Sequence, residues 1–338
     1  MKLCVLGAGS WGIALTLHLK RNGHNLTLWE HDKAKALELE QKRENKVLLP
    51  GIILPKDILI THEIYKVLTG CDGVVIAVPS HVVRSIAKSA TLHLPKGAWV
   101  ACAAKGLEEE THLRLSEVLK QNLQSDTPIA VLSGPSHAEE VSRTMPTTVV
   151  SASSDPAIAK AVQNAFHSNY FRVYTSTDVI GVELGGSLKN VIAIAAGITD
   201  GMSLGDNAKA ALMTRGLHEI SRLGIALGAQ PQTFAGLAGM GDLIVTCTSH
   251  HSRNRLLGEK IGKGATLEQA LKEMVMVAEG VKTSKAAVAL AEKAKVEVPI
   301  TQEVYKVLFE GRNAKEAVKS LLSRTAKPET DTTERISF

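Results

Sequence analysis

The 338-residue chain lacks several features at once, and each absence narrows its class. No block of five or six like charges occurs, and the net charge is only +5. A nucleic-acid surface is therefore not expected. Lys33 to Lys46 mixes both signs and reads as the solvated face of a helix. Cysteine is scarce: Cys4, Cys71, Cys102 and Cys247 show no C-x-x-C spacing, and three of them sit in apolar runs. That pattern fits reduced, mostly buried thiols in the cytosol. No run of 18 apolar residues exists, because Asp178, Glu183 and Lys189 interrupt the best candidate, so no membrane span is expected. The first residues enter the apolar stretch KLCVLGAG directly, so no signal peptide is expected and the location should be cytoplasmic. What is present is ordinary for a globular protein: 44% hydrophobic and 22% charged residues, with length enough for two domains.

The opening apolar run ends in Gly7-Ala8-Gly9-Ser10-Trp11-Gly12. A helical pattern follows and stops at Gly23, and a second strand-like run, Leu26 to Trp29, ends at Glu30. This is G-x-G-x-x-G between a strand and a helix, with an acid 18 residues past the last glycine. In such a unit Gly7 allows the turn, Gly9 admits a pyrophosphate and Gly12 lets helix and strand pack closely. The whole context, more than the glycines alone, predicts dinucleotide binding. Glu30 is placed to bind the adenosine ribose hydroxyls. The cations that follow it (His31, Lys33, Lys35) suit a 2′-phosphate, which leaves NAD(H) and NADP(H) both open.

Further strands are expected at 59–61, 74–78, 99–103, 129–132, 147–151 and 170–174, most of them separated by helical runs. This rhythm predicts an α/β fold, a Rossmann-type doubly wound and mostly parallel sheet, with ligands beyond the carboxyl ends of its strands. Lys105, next to Gly106, falls at one such end. His81 and His137 fall at helix starts, where capping or exposure is the expected role and a catalytic one the alternative. From Asp178 onward the periodicity is helical, over 178–200, 206–226, 231–238, 242–247, 253–262, 266–274, 280–294, 299–309 and 313–323. The expected organisation is a dinucleotide-binding domain at 1–177 and an all-α substrate domain at 178–326. A polar tail at 327–338 is expected to be disordered.

Within the helical half, ELGGSLKNVIAIAAG (183–197) holds one lysine, Lys189, among small and apolar residues. It either snorkels to the surface or is kept in the seam for chemistry. Gly236 to Asp242 is glycine-rich and ends in an acid. Ser249 to Arg255 is polar and opens a helix, where Arg253, Asn254 and free N–H groups would cradle a phosphate or carboxylate. Cys247, His250 and His251 lack a fourth ligand nearby, so no metal site is expected.

A dinucleotide with a buried lysine points to hydride transfer, the lysine giving a proton to the developing alkoxide and taking it back in the reverse direction. Lys105 brought near Lys189 would stabilise negative charge on the carbonyl oxygen. The segments GAGSWG, VPSH, KGLE, SGPSHAEEV, ELGGSLKNVIAIAAGI, GLAGMGDLIVTC, SRNRLLG and VAEGVKT stand in one order and spacing from about residue 2 to about 325. This set resembles that of the bacterial NAD(P)-dependent glycerol-3-phosphate dehydrogenases.

The resemblance implies reversible reduction of dihydroxyacetone phosphate to sn-glycerol 3-phosphate for glycerophospholipid synthesis. It implies Lys189 as the proton-transferring residue, with Lys105 beside substrate and cofactor. Gly134, Ser136, Asp242, Ser252, Arg253 and Asn254 would line the substrate site. Ser10, Trp11, Lys105, Ala138, Arg253, Val277 and Glu279 would contact the cofactor. A cytosolic homodimer is also implied. Relatives often carry arginine at the position of His31, so strict NADP use is not expected and dual use is. Two rivals remain: a β-hydroxyacid dehydrogenase of related architecture, acting on a carboxylate, and a non-catalytic redox sensor that only holds the dinucleotide.

Overall fold

Eight short runs rich in Val, Leu and Ile form one sheet in the computed structural model, which describes residues 1–274, 278–326 and 328–329. The strands are β1 Lys2–Leu6, β2 Asn25–Trp29, β3 Leu59–Thr61, β4 Gly73–Ile76, β5 Trp99–Cys102, β6 Ile129–Ser133, β7 Thr147–Ala152 and β8 Phe171–Ser176. They lie in the order β3-β2-β1-β4-β5-β6-β7-β8. All neighbours are parallel except β6 and β7, which pair antiparallel. Helices cover both faces, so inner strands such as LCVL of β1 are wholly buried and read as continuous apolar runs. The connection order reverses between β1 and β4. Crevices of this kind, beyond the carboxyl ends at the reversal, are where such sheets bind ligands.

Strands end at Ser176, and every element described from Val179 onward is helical. The centre of this half is the helix Val179–Gly201, buried continuously from Gly181 to Thr199. Asp178 caps it by accepting from Gly181 N at 2.9 Å, and the same carboxylate accepts from Gln230 N and Thr233 Oγ1. The helix is long and apolar enough to cross a membrane, yet 89% of its most apolar window is covered by protein, as expected of a core helix. Small residues let neighbours approach it: a methyl at Gly197 would strike the Arg255 carbonyl, and one at Gly258 the Ile194 carbonyl.

One expectation needs correction. The run 231–238 is not a single helix but Pro231–Phe234 followed by a π-helical turn, Leu237–Gly241. Gly236 and Gly239 allow the widened turn, and Gly239 packs directly on the Phe234 backbone, where a side chain would collide. The turn delivers Asp242 into the core at the start of the helix Asp242–Thr248. The tail expected to be disordered lies largely outside the described residues, with only Pro328 and Glu329 of it placed.

Candidate active site

The glycine turn divides its labour. Gly7 has φ +112°, and a Cβ there would sit 2.6 Å from the Ala77 carbonyl oxygen. A Cβ at Gly12 would collide with the Gly7 carbonyl, so both glycines are needed for close packing. Gly9 is different, with nothing among the described residues within 4 Å of its missing Cβ. Behind it the helix Ser10–Arg21 begins at Gly9 with no side-chain cap hydrogen bond, so the positive end of its dipole faces the turn. Open space at the middle glycine over an uncapped helix start fits a dinucleotide pyrophosphate. Trp11 is fixed by donating Nε1–H to the Ala103 carbonyl at 3.1 Å. At the end of β2, Glu30 accepts from Asp32 N at 3.1 Å and pairs with the exposed His31 at 2.8 Å.

Beyond β5 and β6 the sheet meets the helical half around one carboxylate. Asp242, 1% exposed, accepts from Lys105 Nζ on Oδ2 at 2.7 Å and from Lys189 Nζ on Oδ1 at 2.6 Å. Lys105 also donates to the Gly134 carbonyl at 2.8 Å and approaches Ser136 Oγ at 3.5 Å. Lys189 donates to Thr246 Oγ1 at 2.5 Å, and that hydroxyl donates its own O–H to the Asp242 main-chain carbonyl at 2.6 Å. Burial lowers the Lys189 ammonium to about 8; Asp242 opposes the shift and Lys105 adds to it. Burial alone would raise Asp242, but the two ammonium groups outweigh it and hold the carboxyl below its usual range.

Two buried polar atoms beside this cluster, Ser133 Oγ and His137 Nε2, have no hydrogen-bond partner among the described residues. The Ser133 hydroxyl faces Gly186, whose missing side chain leaves room next to Lys105. His137 is held neutral to about 4, by burial first and then by Lys189. Buried polar atoms left without a partner are what a bound polar ligand would satisfy.

Arg253 spans the two halves, donating Nη2–H to Ser10 Oγ at 2.7 Å. Glu279 does so as well, accepting from Ser80 N at 3.2 Å and Ser80 Oγ at 2.6 Å. Lys105, Gly134, Ser136, Lys189 and Asp242 are thus brought together, with Ala138 starting the short helix that follows Ser136. Glu30 and His31 stand apart at the β2 end, on the adenosine side of a Rossmann unit. Ser252 and Asn254 are occupied structurally. Ser252 caps the helix Arg253–Gly262, and Asn254 joins Asn190 Oδ1 at 2.9 Å to Gly280 N at 2.9 Å. Val277 lies outside the described residues. Thr246 and Ser133 are additions. Thr246 was findable, because it follows Asp242 by one helical turn and shares its face.

A dinucleotide cradle at one end of the sheet and a buried proton-bearing lysine in the helical half define an NAD(P)-dependent oxidoreductase. The N-terminal model of the NAD-dependent glycerol-3-phosphate dehydrogenases matches residues 2–159, and the C-terminal model matches residues 178–319. The chain belongs to that family. It is 54% identical over 329 residues to glycerol-3-phosphate dehydrogenase [NAD(P)+] of Thermoanaerobacter sp. (strain X514), covering 97% of this chain and 99% of the relative. The enzyme of that name from Fusobacterium nucleatum is 50% identical, with 97% and 98% covered. The crystal structure of the Coxiella burnetii glycerol-3-phosphate dehydrogenase superposes with a TM-score of 0.92 at 38% identity, over 95% of this chain and 98% of that one.

Proposed function

We propose that the protein interconverts dihydroxyacetone phosphate and sn-glycerol 3-phosphate with NAD(H) or NADP(H), using Lys189 as the acid–base group. The observation that carries this reading is the bonding of Lys189 Nζ. Asp242 and Thr246 take two of its N–H donors. An ammonium has three donors and a neutral amine has two plus a lone pair. The remaining position therefore alternates between N–H and lone pair as the group titrates, while the other two bonds persist. That position would give a proton to the ketone oxygen as it becomes alkoxide, and would take it from the alcohol in reverse.

The bound dinucleotide supplies or accepts the hydride. Lys105, held by Asp242 and Gly134, contributes a second positive charge beside the reacting oxygen. Arg253 and the uncapped start of the Ser10 helix offer charge for phosphates, and Gly134, Ser136, Ser252 and Asn254 line the substrate side. Gly7, Gly9, Gly12, Ser10, Trp11, Glu30, His31, Ala138 and Glu279 would hold the dinucleotide. The division into a cofactor domain at 1–177 and a substrate domain at 178–326 is part of the proposal. So are a cytoplasmic homodimer and a supply of glycerol phosphate to phospholipid synthesis, both on the family resemblance.

Paired kinetics with NADH and NADPH on dihydroxyacetone phosphate test the reading. Turnover with both cofactors is expected. Oxidation of a 3-hydroxy acid without turnover of dihydroxyacetone phosphate would favour the β-hydroxyacid rival, and no hydride transfer at all would favour the redox sensor.

A further inference from the structure

Lys105 and Lys189 come from opposite halves of the chain, so something must set the distance between their ammonium groups. The Asp242 carboxylate alone does not, because both lysines are long and rotatable. The backbone beside Lys105 is tied to the helix that carries Lys189. Ser187 Oγ accepts from Gly106 N at 3.0 Å and donates to the Gly106 carbonyl at 3.0 Å. One hydroxyl thus saturates both main-chain groups of the residue next to Lys105. Gly106 is itself confined, with φ +145° and a missing Cβ that would lie 2.7 Å from Ser80 Cβ.

One turn earlier on the same helix, Glu183 holds the other end of the segment. Its Oε1 accepts from Ser116 N at 2.8 Å, and Oε2 accepts from Ser116 Oγ at 2.6 Å and Arg114 Nη1 at 2.7 Å. An antiparallel bridge between Leu107 and Arg114 closes the segment on itself, so the second anchor acts two residues from Lys105. Both side chains are buried, Ser187 at 1% and Glu183 at 6% exposure. Burying a carboxylate with a single arginine adds little net stability, and where such pairs persist their best-attested service is to fix register.

We infer that Ser187 and Glu183 are positioning residues that clamp the Lys105–Ser116 segment to the helix Val179–Gly201 and so set the Lys105–Lys189 separation. The inference rests on Lys189 being the acid–base group. Lys189 faces Asp242, Lys105, Cys247 and His137, and of these only Lys105 is placed by the clamp. The interaction of two unit charges about 4 Å apart falls by roughly a fifth if they separate by a further ~1 Å. Loosening the clamp therefore has a defined sign: Lys105 repels Lys189 less, and the Lys189 ammonium holds its proton to higher pH.

The test is Ser187→Ala, with kcat, dinucleotide Kd, thermal midpoint and the pH profile of ketone reduction measured together. A fall in kcat on the order of ten- to a hundredfold is expected, the usual cost of a misplacement near 1 Å. The alkaline limb should move to higher pH and dinucleotide Kd should stay unchanged. A wild-type kcat and profile would overturn the inference, as would a lower kcat that follows a lower thermal midpoint with an unmoved profile. If Ser187→Ala does not fold, Glu183→Gln loosens the other anchor and should displace the limb in the same direction; an unmoved limb overturns the inference equally. Lys189→Met separates the two levels. If that variant is inactive while Ser187→Ala behaves as wild type, the clamp alone is wrong; if it retains activity, the assignment of Lys189 fails first.

Discussion

Lys189 and Lys105 meet on the two oxygens of a single buried carboxylate, that of Asp242, at 2.6 and 2.7 Å. The shared anion bonds both ammonium groups, and burial together with their mutual repulsion brings Lys189 down to about 8. Oxidation of the alcohol needs the neutral amine, so its kcat/KM should rise as pH increases through about 8. Reduction of the ketone needs the ammonium and should fall over the same range. Initial rates in both directions across that range check the sign, and parallel profiles would count against Lys189.

The glycine turn yields a contrast between two substitutions. Gly9→Ala places its methyl in open space and should leave the thermal midpoint near wild type while weakening dinucleotide binding by tenfold or more. Gly12→Ala meets the Gly7 carbonyl and should destabilise the fold, by about 1–3 kcal/mol as for other overpacked sites. Fluorescence titration and thermal melts of the two variants distinguish these effects. Equal loss of stability in both would mean that Gly9 serves packing as well.

Cofactor choice should respond to His31. Its side chain is 72% exposed and is engaged by Glu30, so it is not held toward a 2′-phosphate. His31→Arg adds a permanent cation with a planar fork of donors. The NADPH-to-NADH ratio of kcat/KM should rise about tenfold, the size of one charge-assisted hydrogen bond of ~1.5 kcal/mol. An unchanged ratio would move the 2′-phosphate contact elsewhere, to Lys33 or Lys35.

Acid stability should depend on His18, which is fully buried, bonds Tyr170 and the Phe166 carbonyl, and is lowered by burial to about 4. Unfolded, it titrates near its ordinary 6.5, so between these values the unfolded chain binds more protons. Stability is full above the upper value and is lost as pH falls towards the lower one, by about 2 kcal/mol at pH 5. His18→Gln should lose correspondingly less between pH 7 and 5 in urea unfolding. His137, also lowered to about 4, still titrates in that variant, so the dependence should shrink rather than vanish.

The sheet was readable because parallel strands covered on both faces must be apolar throughout, and runs such as VVI and WVAC have few other uses. The turn at Leu237–Gly241 was not, since its widening depends on how Gly239 seats against Phe234, a contact five residues away that periodicity does not encode. Lys105, Lys189 and Asp242 each stood out by chemistry at the end of a strand, within an apolar helix or after a glycine run. That one carboxylate joins both lysines is a fact of tertiary packing. For His137 the sequence offered a cap, an exposed side chain or a catalytic role, and only packing shows its Nε2 buried without a partner among the described residues. Asn254 was read as a ligand residue from its polarity and Ser252 from the resemblance; the bonds they also make within and around the helix Arg253–Gly262 are tertiary contacts that neither signal encodes.

The central claim, that Lys189 moves the proton, is tested most directly by Lys189→Met assayed on dihydroxyacetone phosphate with dinucleotide Kd measured beside it. A fall in kcat of ~10²–10⁴ with cofactor affinity close to wild type is the predicted result. A kcat within a few-fold of wild type, or a collapse of cofactor affinity in step with activity, would contradict it.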